Sequence, residues 1–128
     1  MQLFDTLTLY SDWGLLALRI AVGVVFFVHG RAKWAMWKPG APANMRGMMK
    51  LLAVTEPLAA LALITGVFIQ PAALWLSLVM IGAIYFKIKK WKVPFTTQSS
   101  TGWEFDLVLL AANLALLTSG PGALVLSL

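Results

Sequence analysis

Apolar residues fill four stretches of the chain, 14–34, 51–69, 71–86 and 103–119, each interrupted or bordered by only a few ionisable residues. A hydrocarbon layer about 30 Å thick takes about 20 helical residues, fewer where flanking side chains snorkel or the bilayer thins. The last two stretches are therefore short but usable spans. Short connections between successive spans predict an all-α integral membrane protein, a single domain over residues 1–128 built as an up-and-down four-helix bundle.

Breakers mark the connections. Lys38-Pro39-Gly40-Ala41-Pro42 ends the first helix, because proline removes a donor and clashes with the preceding turn. Asn44 is placed to cap a second helix starting near Met45, with Met45, Met48 and Met49 on an interfacial face. Gln70-Pro71 reads as a tight turn, with Pro71 at the first position of the third helix. The third connection begins basic at Lys87 and ends in a polar run, Thr96 to Gly102. Gly120-Pro121-Gly122 stops the fourth helix and leaves an apolar tail expected to fold back on the outer surface. Ala17, Ala21, Ala62, Gly66, Ala72, Ala73, Gly82 and Ala83 would let helices approach closely.

A charge at the bilayer centre costs about 2.5–3.5 kcal/mol on insertion scales, so polar residues inside the spans should face the bundle interior and find partners. At about 100° per residue, Arg19, Gly23, Phe26, Gly30 and Lys33 form one stripe on the first helix, with His29 beside it. Glu56, Ala60, Leu63 and Val67 align on the second, and Asp106, Leu110, Asn113 and Leu117 on the fourth. Two polar layers follow: Arg19 with Asn113, and His29, Glu56 and Asp106 with Lys33. Glu56 precedes Pro57, which frees the carbonyl of Ala53. Thr101-Gly102-Trp103-Glu104 also reads as a capping box, Glu104 reaching back to Thr101.

Composition sharpens the picture. With 60% hydrophobic and 12% charged residues there is too little polar surface for a soluble domain. Cysteine is absent, which excludes disulfides, thiolate metal sites and iron–sulfur clusters. The segment before the first span carries Asp5 and Asp12 but no basic residue, unlike a cleavable signal. Nine of the ten basic residues sit around the first and third connections, all but Arg19. The positive-inside rule then places those connections in the cytoplasm and both termini outside, in a bacterial-type inner membrane. Trp13 and Trp75 read as anchors at the outer boundary, and Trp34, Trp37, Trp91 and Trp103 at the inner one.

Leu15-Leu16-Ala17-Leu18-Arg19, Gly23 and His29-Gly30-Arg31-Ala32-Lys33 resemble the first helix of the DoxX family. Glu56 before a Leu/Ala-rich run to Gly66, then Gly102-Trp103-Glu104 and Gly120-Pro121-Gly122, are similar to that family's later signatures in order. The resemblance covers nearly the whole chain and implies a four-helix inner-membrane protein linked to quinone-dependent redox chemistry, sulfur oxidation or oxidative-stress defence. One departure stands out: Lys87 or Lys89 occupies the place near the end of the third helix where the family often has a histidine.

The leading expectation is a membrane subunit or partner of a quinone-linked oxidoreductase, with a quinone or quinol site in the cytoplasmic half of the bundle. In that reading His29, Glu56 and Asp106 carry proton chemistry, while Arg19, Lys33, Phe26, Trp103, Glu104 and Asn113 contact the ligand. The alternative is a non-catalytic scaffold or chaperone-like subunit whose polar core only fixes helix packing. No haem or metal site is expected: a single histidine gives no bis-histidine ligation, and a His29–Met36 or His29–Met80 pair or a His29–Glu56–Asp106 set has little sequence support. The lipid bilayer is the expected partner; a redox partner protein and a homo-oligomer are open, and nucleic acid is not expected.

Overall fold

The computed structural model describes residues 2–40 and 45–126. A short helix α1 (Gln2–Leu7) runs through a 3-10 turn into α2 (Ser11–Ala32), which continues as a 3-10 turn over Lys33–Trp37. Helix α3 (Arg46–Thr65), helix α4 (Ile69–Tyr85) with a π-turn over Phe86–Lys90, and helix α5 (Trp103–Ser119) complete an all-helical chain, with no strand among the described residues. Gln2–Trp37, Arg46–Thr65 and Ile69–Lys90 are long and apolar enough to cross a membrane. Helix α5 has 17 residues. It nevertheless covers the same height as α4, because Gln70 donates to the Leu117 carbonyl at one end while Lys87 meets Asp106 at the other.

Helix α2 packs tightly along α3 and α4 along α5, whereas the seam between α3 and α4 is much looser. The predicted α2 stripe is the buried one: Arg19, Gly23, Phe26 and Gly30 are all inside, joined by Val22. On α3 the buried set includes Glu56, Ala60 and Leu63, and on α5 Asp106 and Asn113 with Leu109 and Leu116. Gly30, like Gly23 against Ile64, marks a close approach of α2 to α3. A Cβ on Gly30 would sit 2.5 Å from Cδ of Pro57, so only glycine accommodates the proline ring.

That proline also sets the role of Trp34. The carbonyl of Ala53, left without its helical donor by Pro57, accepts a 2.8 Å hydrogen bond from the Trp34 indole nitrogen. Trp34 is thus a tie between α2 and α3 as well as an interfacial ring. Trp34→Phe is expected to lower stability by about 1–2 kcal/mol, read as a lower thermal-unfolding midpoint in detergent.

The end of α3 shows a complete accounting of its last four carbonyls, which a helix cannot satisfy internally. Ala62 accepts from the Gly66 amide, Leu63 and Ile64 accept from the Arg19 guanidinium, and Thr65 accepts from the Leu126 amide. Gly66 adopts φ +84°, the left-handed conformation that glycine takes at helix C-termini. The tail after α5 folds back over this end as expected, and Asp12 fastens it by accepting from the Ala123 amide at 2.9 Å.

Two local expectations are corrected, and a third is not tested. The α3–α4 turn falls at 66–68, ahead of Gln70-Pro71, because Phe68 takes a left-handed φ of 53° and lets α4 begin at Ile69. Pro71 then lies within the first turn, where a missing N–H costs nothing. The capping box does not form. Gly102 is the N-cap with no side-chain bond, and the Glu104 amide donates instead to the Phe95 carbonyl. Asn44, the expected cap of α3, lies outside the described residues; Met45, at φ 58°, precedes the first turn.

Candidate functional site

A cavity of about 530 Å³ opens in the half of the bundle nearest the basic connections. His29 and Phe26 of α2, Lys33 just beyond it, Glu56 of α3, Lys87 beyond α4, and Phe105 and Asp106 of α5 all line it. Four separate elements therefore deliver titratable groups to one space. Apolar side chains, including three methionines at the start of α3, form most of the remaining wall.

The charges are arranged as two pairs. Lys33 donates to Glu56 Oε2 at 2.9 Å, with the Glu56 side chain 2% exposed. Lys87 Nζ lies 2.6 Å from Asp106 Oδ2 without hydrogen-bond geometry, so that pair is held by charge and proximity. Two cations and two anions balance, which suits an uncharged occupant: an ionic ligand would have to break a pair. Between them the His29 ring leans on Phe105, centroids 5.4 Å apart, and forms no hydrogen bond with the described residues. It is thereby a polar group on the wall that the fold leaves uncommitted.

The other expected ligand contacts lie elsewhere. Arg19 and Asn113 do not line this cavity and do not bond to each other. Arg19 is held by four carbonyls, Leu63 at 2.8 Å, Ile64 at 2.9 Å, Pro121 at 3.0 Å and Leu124 at 2.6 Å. Asn113 donates along its own helix to Leu109 and leaves its side-chain oxygen unpaired. The expected Arg19–Asn113 layer is therefore corrected to an arginine-capped helix end and a separate buried amide. Trp103 stacks edge-on against Phe95, and Glu104 lines a shallow depression on another face.

Sequence reasoning missed Lys87, Phe105 and Trp75 as wall residues. Lys87 carried a signal, being the first cation after α4 when Asp106 still lacked a partner. Trp75 carried none: expected as an interfacial anchor, it lines the cavity, and its buried indole N–H has no hydrogen-bond partner among the described residues. His29, Glu56 and Asp106 do not assemble into a metal-ligand set, and no group of three such side chains among the described residues does. The two acids are taken by lysines instead.

Comparison with known proteins places this architecture. A family model described as DoxX matches residues 14–89. A Haemophilus influenzae protein described as "Uncharacterized protein" is 30% identical over 130 residues, covering 95% of this chain and 94% of its own. No solved structure matches.

Proposed function

The chain belongs to the DoxX family of membrane proteins, and on that premise we propose that it binds a quinone or quinol as the membrane partner of a quinone-linked oxidoreductase. One observation carries the reading: a single cavity at membrane depth gathers an uncommitted imidazole, two lysine–carboxylate pairs and aromatic rings. Its size falls in the range of small-molecule pockets, about 300–1,000 Å³. The unpaired Trp75 N–H supplies a donor that awaits an acceptor.

A bound quinone supplies carbonyls that accept hydrogen bonds and, on reduction, electrons and protons. The residues here would bind and orient it. His29 can donate from one ring nitrogen and exchange a proton at the same atom. Glu56 and Asp106 can hold a proton at the carboxylate, and their lysines offset the charge when the proton leaves. Lys33, 23% exposed, leads from Glu56 toward solvent at the basic face. Phe26 and Phe105 offer ring faces. Electron delivery belongs to the partner protein.

The basic connections are assigned to the cytoplasm and both termini to the opposite side, so the cavity lies in the inner-leaflet half. Because the chain has no cysteine, single cysteines introduced into 96–101 report this directly; labelling from the outside of intact cells would reverse the assignment.

Lipid extraction of the purified protein and quinone quenching of its tryptophan fluorescence test the ligand. His29→Ala is expected to weaken quinone binding about tenfold, one lost hydrogen bond, without moving the unfolding midpoint. Glu56→Gln, which keeps the shape, should do the same to proton-coupled turnover. One observation favours the scaffold alternative: the Arg19 layer serves packing alone. If both substitutions alter only stability, and no quinone co-purifies, that alternative prevails.

A further inference from the structure

The cavity wall is not uniform, and its apolar side is also its open side. Leu51 and Leu78 line the cavity yet are 51% and 52% exposed, and Met48 is 38% exposed. They belong to α3 and α4, whose contact is much looser than that of α2 with α3 or of α4 with α5. Leu51 and Leu78 also lie within the membrane-crossing stretches Arg46–Thr65 and Ile69–Lys90. What meets them there is hydrocarbon rather than water. The titratable groups lie away from this seam, on α2, α5 and the basic-face turns, apart from Glu56 on the inward face of α3.

Gly82 sits on the same seam. It lines the cavity, and a Cβ built on it would meet no atom within 4 Å. A glycine inside a helix, with open space beside it and no turn to justify it, keeps a groove free rather than a backbone relaxed. Deeper in the cavity the Trp75 N–H is buried and unpaired, a cost that an acceptor on an occupant would remove.

We propose that the cavity is loaded sideways from the bilayer, through the slot between α3 and α4, by an uncharged amphiphile that places its hydrogen-bonding head among the polar groups and leaves a long hydrocarbon chain along Gly82. The inference rests on the cavity being a ligand site and deepens that reading, but it does not require the head to be a quinone.

The full-length protein in phosphatidylcholine nanodiscs gives the test, through quenching of tryptophan fluorescence by three probes. These are tetramethylbenzoquinone, the same ring with a decyl chain in place of one methyl, and a long-chain alcohol brominated along its tail. Concentrations are counted per lipid, so that partitioning into the bilayer cancels. The decyl quinone is expected to bind about tenfold more tightly than the bare ring, equivalent to about 1.4 kcal/mol. Gly82→Phe should abolish that advantage while bare-ring binding stays within about twofold, and Gly82→Ala should keep it. Retained bare-ring binding also shows that the variant folds; Gly82→Leu replaces it if Gly82→Phe does not. The brominated alcohol should quench the wild type more strongly than either Gly82→Phe or Trp75→Phe, the remainder coming from the tryptophans at the membrane boundaries.

Equal binding of the two quinones, or a chain advantage that survives Gly82→Phe, overturns the slot and leaves the quinone reading standing. Alcohol quenching that obeys the slot variants while neither quinone binds supports the slot and ends the quinone reading. Absence of binding by all three overturns both.

Discussion

Arg19→Met is expected to lower the stability of the folded protein by about 3–5 kcal/mol, the largest effect of any single substitution outside the cavity. Two terms oppose each other. Removing the guanidinium spares the cost of holding a charge that is only 1% exposed. Against that, four carbonyls lose a charged donor at once, each such bond being worth about 1.5–3 kcal/mol. The second term wins because the orphaned groups are backbone carbonyls, that of Leu63 in a buried bond and the other three in partly buried ones, which water replaces poorly. Leu63 and Ile64 lie at the negative end of the α3 dipole, so the arginine charge is also offset where it sits. Pro121 and Leu124 belong to the C-terminal tail. The expected signature is therefore double: a lower unfolding midpoint, and new protease cleavage after residue 119. Arg19→Lys should recover only part of the loss, since an ammonium keeps the charge but not the planar fork that reaches four acceptors. An unchanged midpoint in Arg19→Met would show that the tail and helix end are held by something else.

This arginine also shows where sequence stops being legible. Its inward direction followed from helical spacing and the cost of a charge in lipid, as did those of Phe26, Glu56, Asp106 and Asn113, and all of them are buried. Its partners did not follow. A sequence displays side chains, so Asn113 was the visible candidate; the actual acceptors are carbonyls that become available only because α3 ends at Thr65 and the tail returns over it. Trp34 and Trp75 fail to be legible for a related reason. The rule that tryptophans gather at membrane boundaries says nothing about the acceptor that Pro57 exposes at Ala53, nor about a looser seam beside α4. Lys87 was obscured by the π-turn over Phe86–Lys90, which breaks the 3.6-residue register just where the helix meets Asp106. The sequence placed Lys33 in one layer with His29, Glu56 and Asp106 but did not say which acid it meets; the choice of Glu56 follows from the close approach of α2 to α3 at Gly30 against Pro57.

The same pair carries the second large effect. Lys33→Met is expected to cost about 3–5 kcal/mol, because it leaves the 2%-exposed Glu56 carboxylate buried without its counter-charge. The reverse change should be milder. In Glu56→Gln the freed lysine, 23% exposed at the basic face, can turn its ammonium outward along its flexible stem. The decisive variant is the double one, Lys33→Met with Glu56→Gln, which removes both charges and keeps most of the volume. It should regain at least about half of the loss caused by Lys33→Met alone, since replacing a whole buried pair is often close to neutral. Unfolding midpoints of the four proteins in one detergent close the cycle. A double variant no more stable than Lys33→Met would mean that Lys33 acts through packing rather than through Glu56. Full recovery of stability with loss of quinone binding would instead separate the two things this pair does: the fold tolerates its absence, and the cavity does not.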